Sequence, residues 1–288
     1  MPIGDERGAS LIGVLWITLL LSLLALGVSN VSLVNRQLPA TAMKVEQNRH
    51  FAESAITLFL NRYFLDVNGD YVFSQNFDVM GVDATVTVGL EDSKFGLNKA
   101  NYHELSAAIA SKGYERVLAE EIAEATIDWR DDNDVVTGSG AEAAEYSALG
   151  LSYGPRNGPF ETVGEFRFVR GVTDEMFDCL LPLLTVYSSP NIQDIDLNYA
   201  SDEVKRVFEW AFNNDWHQQN WPIIDEGGTG DGDIDLSTRA ISISVSAPDA
   251  FDGEFSKVLR IKSTSDEAIV FAEVRPLRRT AAGPSTCQ

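Results

Sequence analysis

The sequence predicts an α+β fold: a long N-terminal helix on an antiparallel sheet, with a large all-helical domain inserted between strands. Three observations predict it. An apolar run from Gly8 to Asn35 leads into a stripe of helical period. Segments that alternate apolar and polar residues follow the stripe and return towards the C-terminal end. Between the two sets of strands the period turns helical for roughly 85 residues, enough chain for a core of its own.

The first element reads Gly8-Ala9-Ser10-Leu11-Ile12-Gly13-Val14-Leu15-Trp16 and continues through Leu19-Leu20-Leu21 and Leu23-Leu24 without a charged residue. About 20 apolar residues cross a bilayer as a helix, so residues 9–35 are expected to form a transmembrane helix. A secretory signal peptide carries its small residues beyond the apolar stretch. Here they precede it, and cleavage there would keep the span on the mature chain. That order resembles a type IV pilin-like N-terminus, in which a prepilin peptidase cuts after a Gly. Residues 1–8 are then the leader, with Gly8 and Ala9 on either side of the cut. A plain single-span anchor fits the same segment.

Pro39 is expected to bend or interrupt the helix just past the membrane. The helical period resumes with Phe51, Ala52, Ala55, Ile56, Phe59, Leu60, Tyr63 and Phe64 on one face, and Asp66-Val67-Asn68-Gly69-Asp70 closes it as a turn. Residues 71–78 are β-prone. Over 83–90, Ala84, Val86, Val88 and Leu90 share one face. These pieces make residues 36–98 the first part of the core.

Residues 99–184 form the helical insertion. Leu105, Ala108 and Ile109 make one stripe; Leu118, Ile122, Ala125 and Trp129 make the next. A third helix spans Ala141–Leu149. Thr162 and Glu165 have capping-box spacing for a helix ending at Gly171, and Thr173 caps a short helix through Leu181. The second part of the core, 185–275, begins with strand-like Leu184–Ser188 and Ile192–Leu197. Ser201 then caps a helix with Val204, Val207, Phe208, Ala211 and Phe212 on its apolar face. Trp210, Trp216 and Trp221 fit either a core or a partner surface. Strands containing Ile241, Ile243 and Val245, Leu259 and Ile261, and Ala268–Val274 close the fold, and 276–288 is expected to be a disordered tail. Leu97-Asn98-x-Ala100 recurs as Leu197-Asn198-x-Ala200, and each Asn is expected to cap a helix or bend the chain.

Composition narrows the function. A formal charge of −21 argues against nucleic acid as a partner, because binding there requires Lys and Arg to neutralise phosphates. Three His and two Cys, scattered along the chain, give no zinc spacing. No G-x-S-x-G or Cys/His context points to a nucleophile. Cys179 and Cys287 could pair in an oxidising compartment; the sequence leaves this open.

The strongest metal candidate is Asp128-Trp129-Arg130-Asp131-Asp132-Asn133-Asp134, followed by Thr137 and then Glu142 and Glu145. Calcium takes six to eight hard oxygens, which closely spaced Asp and Asn with a later Glu supply. The candidate ligands are Asp131, Asp132, Asn133, Asp134, Thr137, Glu142 and Glu145. Val135 and Val136 stand where an EF-hand needs a ligand and a Gly, so the loop is not an EF-hand. A solvated acidic turn capping the helix at Glu142 is the other reading. Asp231-Gly232-Asp233-Ile234-Asp235 reads as an exposed flexible loop.

Taken in order, several blocks resemble the minor pseudopilin K family of type II secretion systems. They are Gly8-Ala9 before the apolar helix, Leu97-Asn98-x-Ala100, Ile127-Asp128-Trp129-Arg130-Asp131-Asp132-Asn133-Asp134, and Gly158-Pro159-Phe160-Glu161-Thr162-Val163-Gly164-Glu165-Phe166-Arg167. Val169-Arg170-Gly171-Val172-Thr173, Leu181-Pro182-Leu183-Leu184-Thr185-Val186 and Leu197-Asn198-x-Ala200 complete the set. Most pilin-like subunits carry a Glu where Gly13 stands here, and its loss suits a subunit with none above it. The resemblance implies a pilin-like core with an inserted α-domain, calcium at the acidic loop, and no enzymatic activity. It also implies a tip complex with minor pseudopilins I and J, contacts with other pseudopilins and the inner-membrane platform, and processing by the prepilin peptidase. The chain would be single-pass in the inner membrane with its soluble domains in the periplasm. The positive-inside rule alone points the other way, because Arg36, Lys44 and Arg49 follow the span while Arg7 alone precedes it. A membrane-anchored minor pilin-type binding module for adhesion or uptake is the second reading.

Overall fold

In this computed structural model the described residues are 7–65, 71–188, 195, 197–216, 236, 239–263 and 269–280, and side chains of the first helix are described over 12–23 and from 42 on. The chain divides into two units, Met1–Phe51 and Ala52–Gln288.

Helix α1 (Arg7–Arg62) is continuous for 56 residues. It therefore runs through Pro39 without interruption, where a bend or an interruption was expected. Proline removes one N–H donor, but the helical ladder on both sides is already nucleated and propagates across the gap. Within the first unit, Ile12, Val14, Leu15, Trp16, Ile17, Leu19, Leu20, Leu21 and Leu23 are all exposed. The Thr18 and Ser22 hydroxyls donate back to the carbonyls of Leu15 (2.9 Å) and Thr18 (2.8 Å), which satisfies them inside the helix. Among the described residues no helix is long and apolar enough to cross a membrane. The span expected at 9–35 includes residues 24–35, whose side chains lie outside the described set. Gly8 and Ala9 have helical backbone, and residues 1–6 lie outside it.

In the second unit the end of α1 buries Ala52, Ala55, Ile56 and Phe59, as its stripe predicts. Phe64 meets Phe271 edge-on at 5.4 Å and Tyr63 stacks on Phe77 at 4.9 Å. Each large apolar side chain buried in this way contributes about 2 kcal/mol. The partner surface is an antiparallel sheet in the order β1 (Ser74–Val79), β2 (Val82–Leu90), β5 (Ala240–Ser246), β6 (Glu254–Ser263), β7 (Ile269–Thr280). The β1–β2 hairpin turns on Met80 and Gly81, both at positive φ, the geometry whose twist suits a two-residue turn. Ala84, Val86, Val88 and Leu90 are buried as predicted, with Ile241, Ile243 and Val245 beside them. Strand β7 reaches Thr280, so the tail expected to be disordered from Pro276 is strand for its first residues. Pairing with β6 through Arg278, Arg279 and Thr280 holds it, and Pro276 is tolerated because β7 is an edge strand.

Leu90 and Ile241 are register partners, yet all of residues 91–239 lie between them in sequence. This segment holds β3 (Phe95–Gly96), α2 (Tyr102–Ala110), α3 (Arg116–Arg130), α4 (Ala143–Ala148), α5 (Asp174–Leu180), β4 (Leu184–Thr185) and α6 (Asp202–Asn213). Cap chemistry sets several boundaries. Asn101 and Glu104 form a capping box on α2, and Thr173 and Ser201 accept from the backbone N–H of Met176 and Val204. One hydrophobic cluster runs from Phe95 to Trp216 and includes Val204, Val207, Phe208 and Ala211 of α6, so it extends beyond residue 184.

Two local expectations are corrected. Thr162 and Glu165 open a 3-10 turn over Val163–Phe168 instead of an α-helix to Gly171, since Gly164 in its first turn lowers helix propensity. Leu184 does not return to the large sheet: β4 pairs in parallel with β3. Asn98 lies in the turn at 97–99, the bend expected as the alternative to a cap, and its amide exchanges two hydrogen bonds with the backbone of Phe160, at 2.7 and 3.0 Å. Of the strand expected at Ile192–Leu197, residues 192–194 and 196 lie outside the described set, and Leu197 opens a 3-10 turn. Cys179 is disulfide-bonded. Cys287, Trp221, the turn at 66–70 and the acidic stretch 231–235 lie outside the described residues.

Candidate metal centre at the end of α3

Helix α3 buries Ala119, Ile122, Ala123, Ala125 and Trp129. Asp128 falls in phase with Ala125 and Trp129, so the period that builds the core also buries a carboxylate completely. The loop after the helix folds back over it. The Thr137 N–H donates to Oδ1 of Asp128 at 3.0 Å, and the Ser139 N–H donates to Glu124 Oε2 at 2.6 Å, one helical turn earlier. Two glycines permit this approach. A Cβ at Gly140 would lie 2.2 Å from Asp128 Oδ2, and one at Gly138 (φ +57) would lie 2.2 Å from Glu124 Oε1. Burial pushes the Asp128 carboxyl above its usual range; hydrogen bonds from Thr137 and Ala141 pull it back only in part, and the Asp131 charge adds to the rise.

Glu142 precedes α4, and its N–H donates to Glu145 Oε2 at 2.9 Å. Its own carboxylate is 4% exposed, and neither oxygen has a hydrogen-bond partner. Burial first, then the charges of Asp128, Asp131, Asp134 and Glu145, push its pKa up to about 7. A buried acid pressed by other acids is relieved by a cation, and hard oxygens are the chemistry calcium takes.

Of the predicted ligands, Asp131, Asp134, Glu142 and Glu145 thus fall within electrostatic reach of one another. Asp131 accepts from the Asn133 N–H (3.3 Å), and Asn133 from the Val135 N–H (2.8 Å), a succession of Asx turns. Asp134 is held by the Asn157 side-chain amide at 2.9 Å. Asp132 is exposed, and Thr137 contributes by binding Asp128. Among the described residues no three His, Cys, Asp or Glu side chains are close enough together to hold a metal ion. Sequence reading placed Asp128 at the head of the candidate stretch but not among the ligands, and it omitted Glu124. Their signals were a carboxylate inside an apolar stripe and the paired glycines, 138 and 140, that let the backbone reach it.

The loop is tied to the rest of the helical block. The Arg130 guanidinium donates to the carbonyls of Leu97 (2.6 Å) and Ala100 (2.8 Å), and Trp129 stacks on Phe160 with ring centroids 6.1 Å apart. With the Asn98–Phe160 pair, three separate sequence blocks meet at one place.

Comparison with known proteins bears on this region. A family model described as type II secretion system protein K matches residues 78–189. A protein described as type II secretion system protein K from Klebsiella pneumoniae is 28% identical over 211 residues, covering 65% of this chain and 65% of its own length. A chain in the crystal structure of the GspK-GspI-GspJ complex of enterotoxigenic Escherichia coli is similar at a TM-score of 0.48 and 17% identity, over 86% of this chain and 99% of that one.

Proposed function

We propose that this chain is a member of the type II secretion system protein K family and a minor pseudopilin, a non-enzymatic subunit that caps the tip of the pseudopilus and helps initiate its assembly. In this reading it serves export of folded proteins across the outer membrane. The observation that carries it is where the match falls: 78–189 covers β2 and the helical block through β4. The block opens between two neighbouring strands, and its bulk leaves no room for a subunit stacked above it. Gly13, where most pilin-like subunits have Glu, supports the same placement. The apolar helix anchors the chain in the inner membrane, the remainder lies in the periplasm, and processing occurs between Gly8 and Ala9. By the family resemblance its partners are minor pseudopilins I and J, with other pseudopilins and the inner-membrane platform.

Calcium belongs to the proposal. The resemblance implies calcium at Asp131, Asp132, Asn133, Asp134, Thr137, Glu142 and Glu145, and the loop would have to close further to bring these oxygens onto one ion, because no three of the described acidic side chains stand close enough as they are. The support is the unpartnered, buried Glu142 carboxylate. Bound calcium would supply the positive charge this loop lacks and fix one loop conformation. The test of the assembly role is co-purification of the detergent-extracted full chain with candidate minor pseudopilins I and J. A stable ternary complex is expected; failure of both partners to co-elute would refute it. Calorimetry with calcium, repeated on Asp131→Ala and Glu142→Ala, checks the metal separately: absence of heat, or heat indifferent to both changes, removes it.

A further inference from the structure

Where the chain leaves the sheet it buries charge. Directly after β2 come Glu91, Asp92 and Ser93, exposed by only 2%, 3% and 2%. Glu91 Oε1 receives the Lys94 ammonium at 2.6 Å, and its other oxygen accepts from the Thr185 hydroxyl of β4. Lys94 also donates to Ser242 Oγ on β5 at 3.3 Å, and Ser242 donates on to the Gly89 carbonyl of β2 at 3.3 Å. Thr185 accepts from the Tyr187 N–H at 3.0 Å, and its carbonyl accepts from Leu97 at 2.8 Å. Three segments distant in sequence therefore converge on one ion pair: β2 and β5 from the sheet, and the β3–β4 pair from the helical block.

We propose that Glu91, Lys94 and Thr185 form the joint that fixes the orientation of the helical block on the sheet. The physical case is one of directionality. An apolar contact between two bodies tolerates sliding, because burial is non-directional. An ion pair whose carboxylate is buried and has both oxygens engaged has one arrangement, and any rotation leaves the Glu91 charge without its partner. The β3–β4 pair is only two residues long on each strand, too short to hold an angle by itself. Gly96 belongs to the same packing: a Cβ there would lie 2.5 Å from Ser188 Oγ, so β3 sits tightly against the segment that follows β4. This assignment concerns the fold of the chain and does not depend on its place in a filament.

The test is a distance measurement on the detergent-solubilised full chain. Nitroxides on keto-bearing amino acids at Met80 and Val117, both exposed, report the separation of sheet and block without touching the cysteines. With the native joint a single narrow distance distribution is expected. In Lys94→Met it should broaden at least twofold, and amide exchange at Leu97 and Tyr187 should rise at least tenfold while α3 and β6 keep their protection. Thr185→Val removes the two hydrogen bonds of that hydroxyl, to Glu91 and from the Tyr187 N–H, and keeps the ion pair, so it serves if Lys94→Met does not fold; beyond the direct loss at Tyr187, a several-fold rise at the Leu97 amide is expected. An unchanged distribution in the folded variant, or exchange that rises equally in α3 and β6, would overturn the assignment.

Discussion

Glu91 and Glu142 are both buried glutamates in the helical segment, and the chain treats their charges in opposite ways. Glu91 sits where sheet and block meet. Burial pushes its pKa up, but the charge and hydrogen bond of Lys94, the Thr185 hydroxyl and the charge of Arg275 outweigh that and hold it below the usual value of 4.5. Glu142 has no such help; its neighbours are acids, and its pKa stands at about 7. One charge is neutralised by the chain itself; the other is pressed by acids, and in the proposed reading it awaits a cation. The contrast separates two uses of a buried carboxylate: a self-contained one fixes geometry, whereas an uncompensated one makes a loop responsive to a ligand.

The largest way to break that contrast is to make Glu91 resemble Glu142. Lys94→Met strands the Glu91 charge and should cost about 4 kcal/mol in urea unfolding. Glu91→Met with Lys94→Met should recover most of it, because removing both charges removes the desolvation cost too. The reverse change relieves Glu142. In EDTA at pH 8, Glu142→Gln should raise stability by about 2 kcal/mol, since it deletes a charge held out of water among acids. The same variant should lose any rise in melting temperature produced by calcium.

Acid titration of the metal-free chain sharpens the comparison through its sign. Glu142 binds its proton more tightly folded than unfolded, so its term favours the fold increasingly as pH falls from about 7 to 4.5. Glu91 does the opposite: its contribution is complete above 4.5 and is lost as pH falls through its depressed folded value. Stability measured by urea midpoint should therefore rise and then fall, and Glu142→Gln should flatten the rising part alone. The smallest expected effect is at Arg130. Arg130→Lys keeps the charge but cannot span the carbonyls of Leu97 and Ala100 together, costing about 1 kcal/mol.

The sequence disclosed what local chemistry governs. The alternation at Ala84, Val86, Val88 and Leu90, the stripe through Ala52 and Phe59, and the caps at Thr173 and Ser201 depend on neighbours a few residues away. The parallel pairing of β3 with β4, the clasp between Asn98 and Phe160 and the contact of Thr185 with Glu91 join residues far apart, where no period gives notice. The acidic loop was visible as a cluster of oxygens. Its deepest member, Asp128, headed that cluster but was not counted as a ligand, because its burial in phase with Ala125 and Trp129 follows from packing. Pro39 does not interrupt α1, because it is a local penalty on a helix set by the many residues around it.

Leu90 and Ile241 face each other across the ladder while the described residues from Phe95 to Trp216 between them share a hydrophobic cluster. Topologically, the block is thus a cassette spliced into a hairpin. Joining β2 to β5 by a short turn would leave the five-stranded ladder in register, and an unrelated domain with closely spaced ends could be grafted at the same two residues.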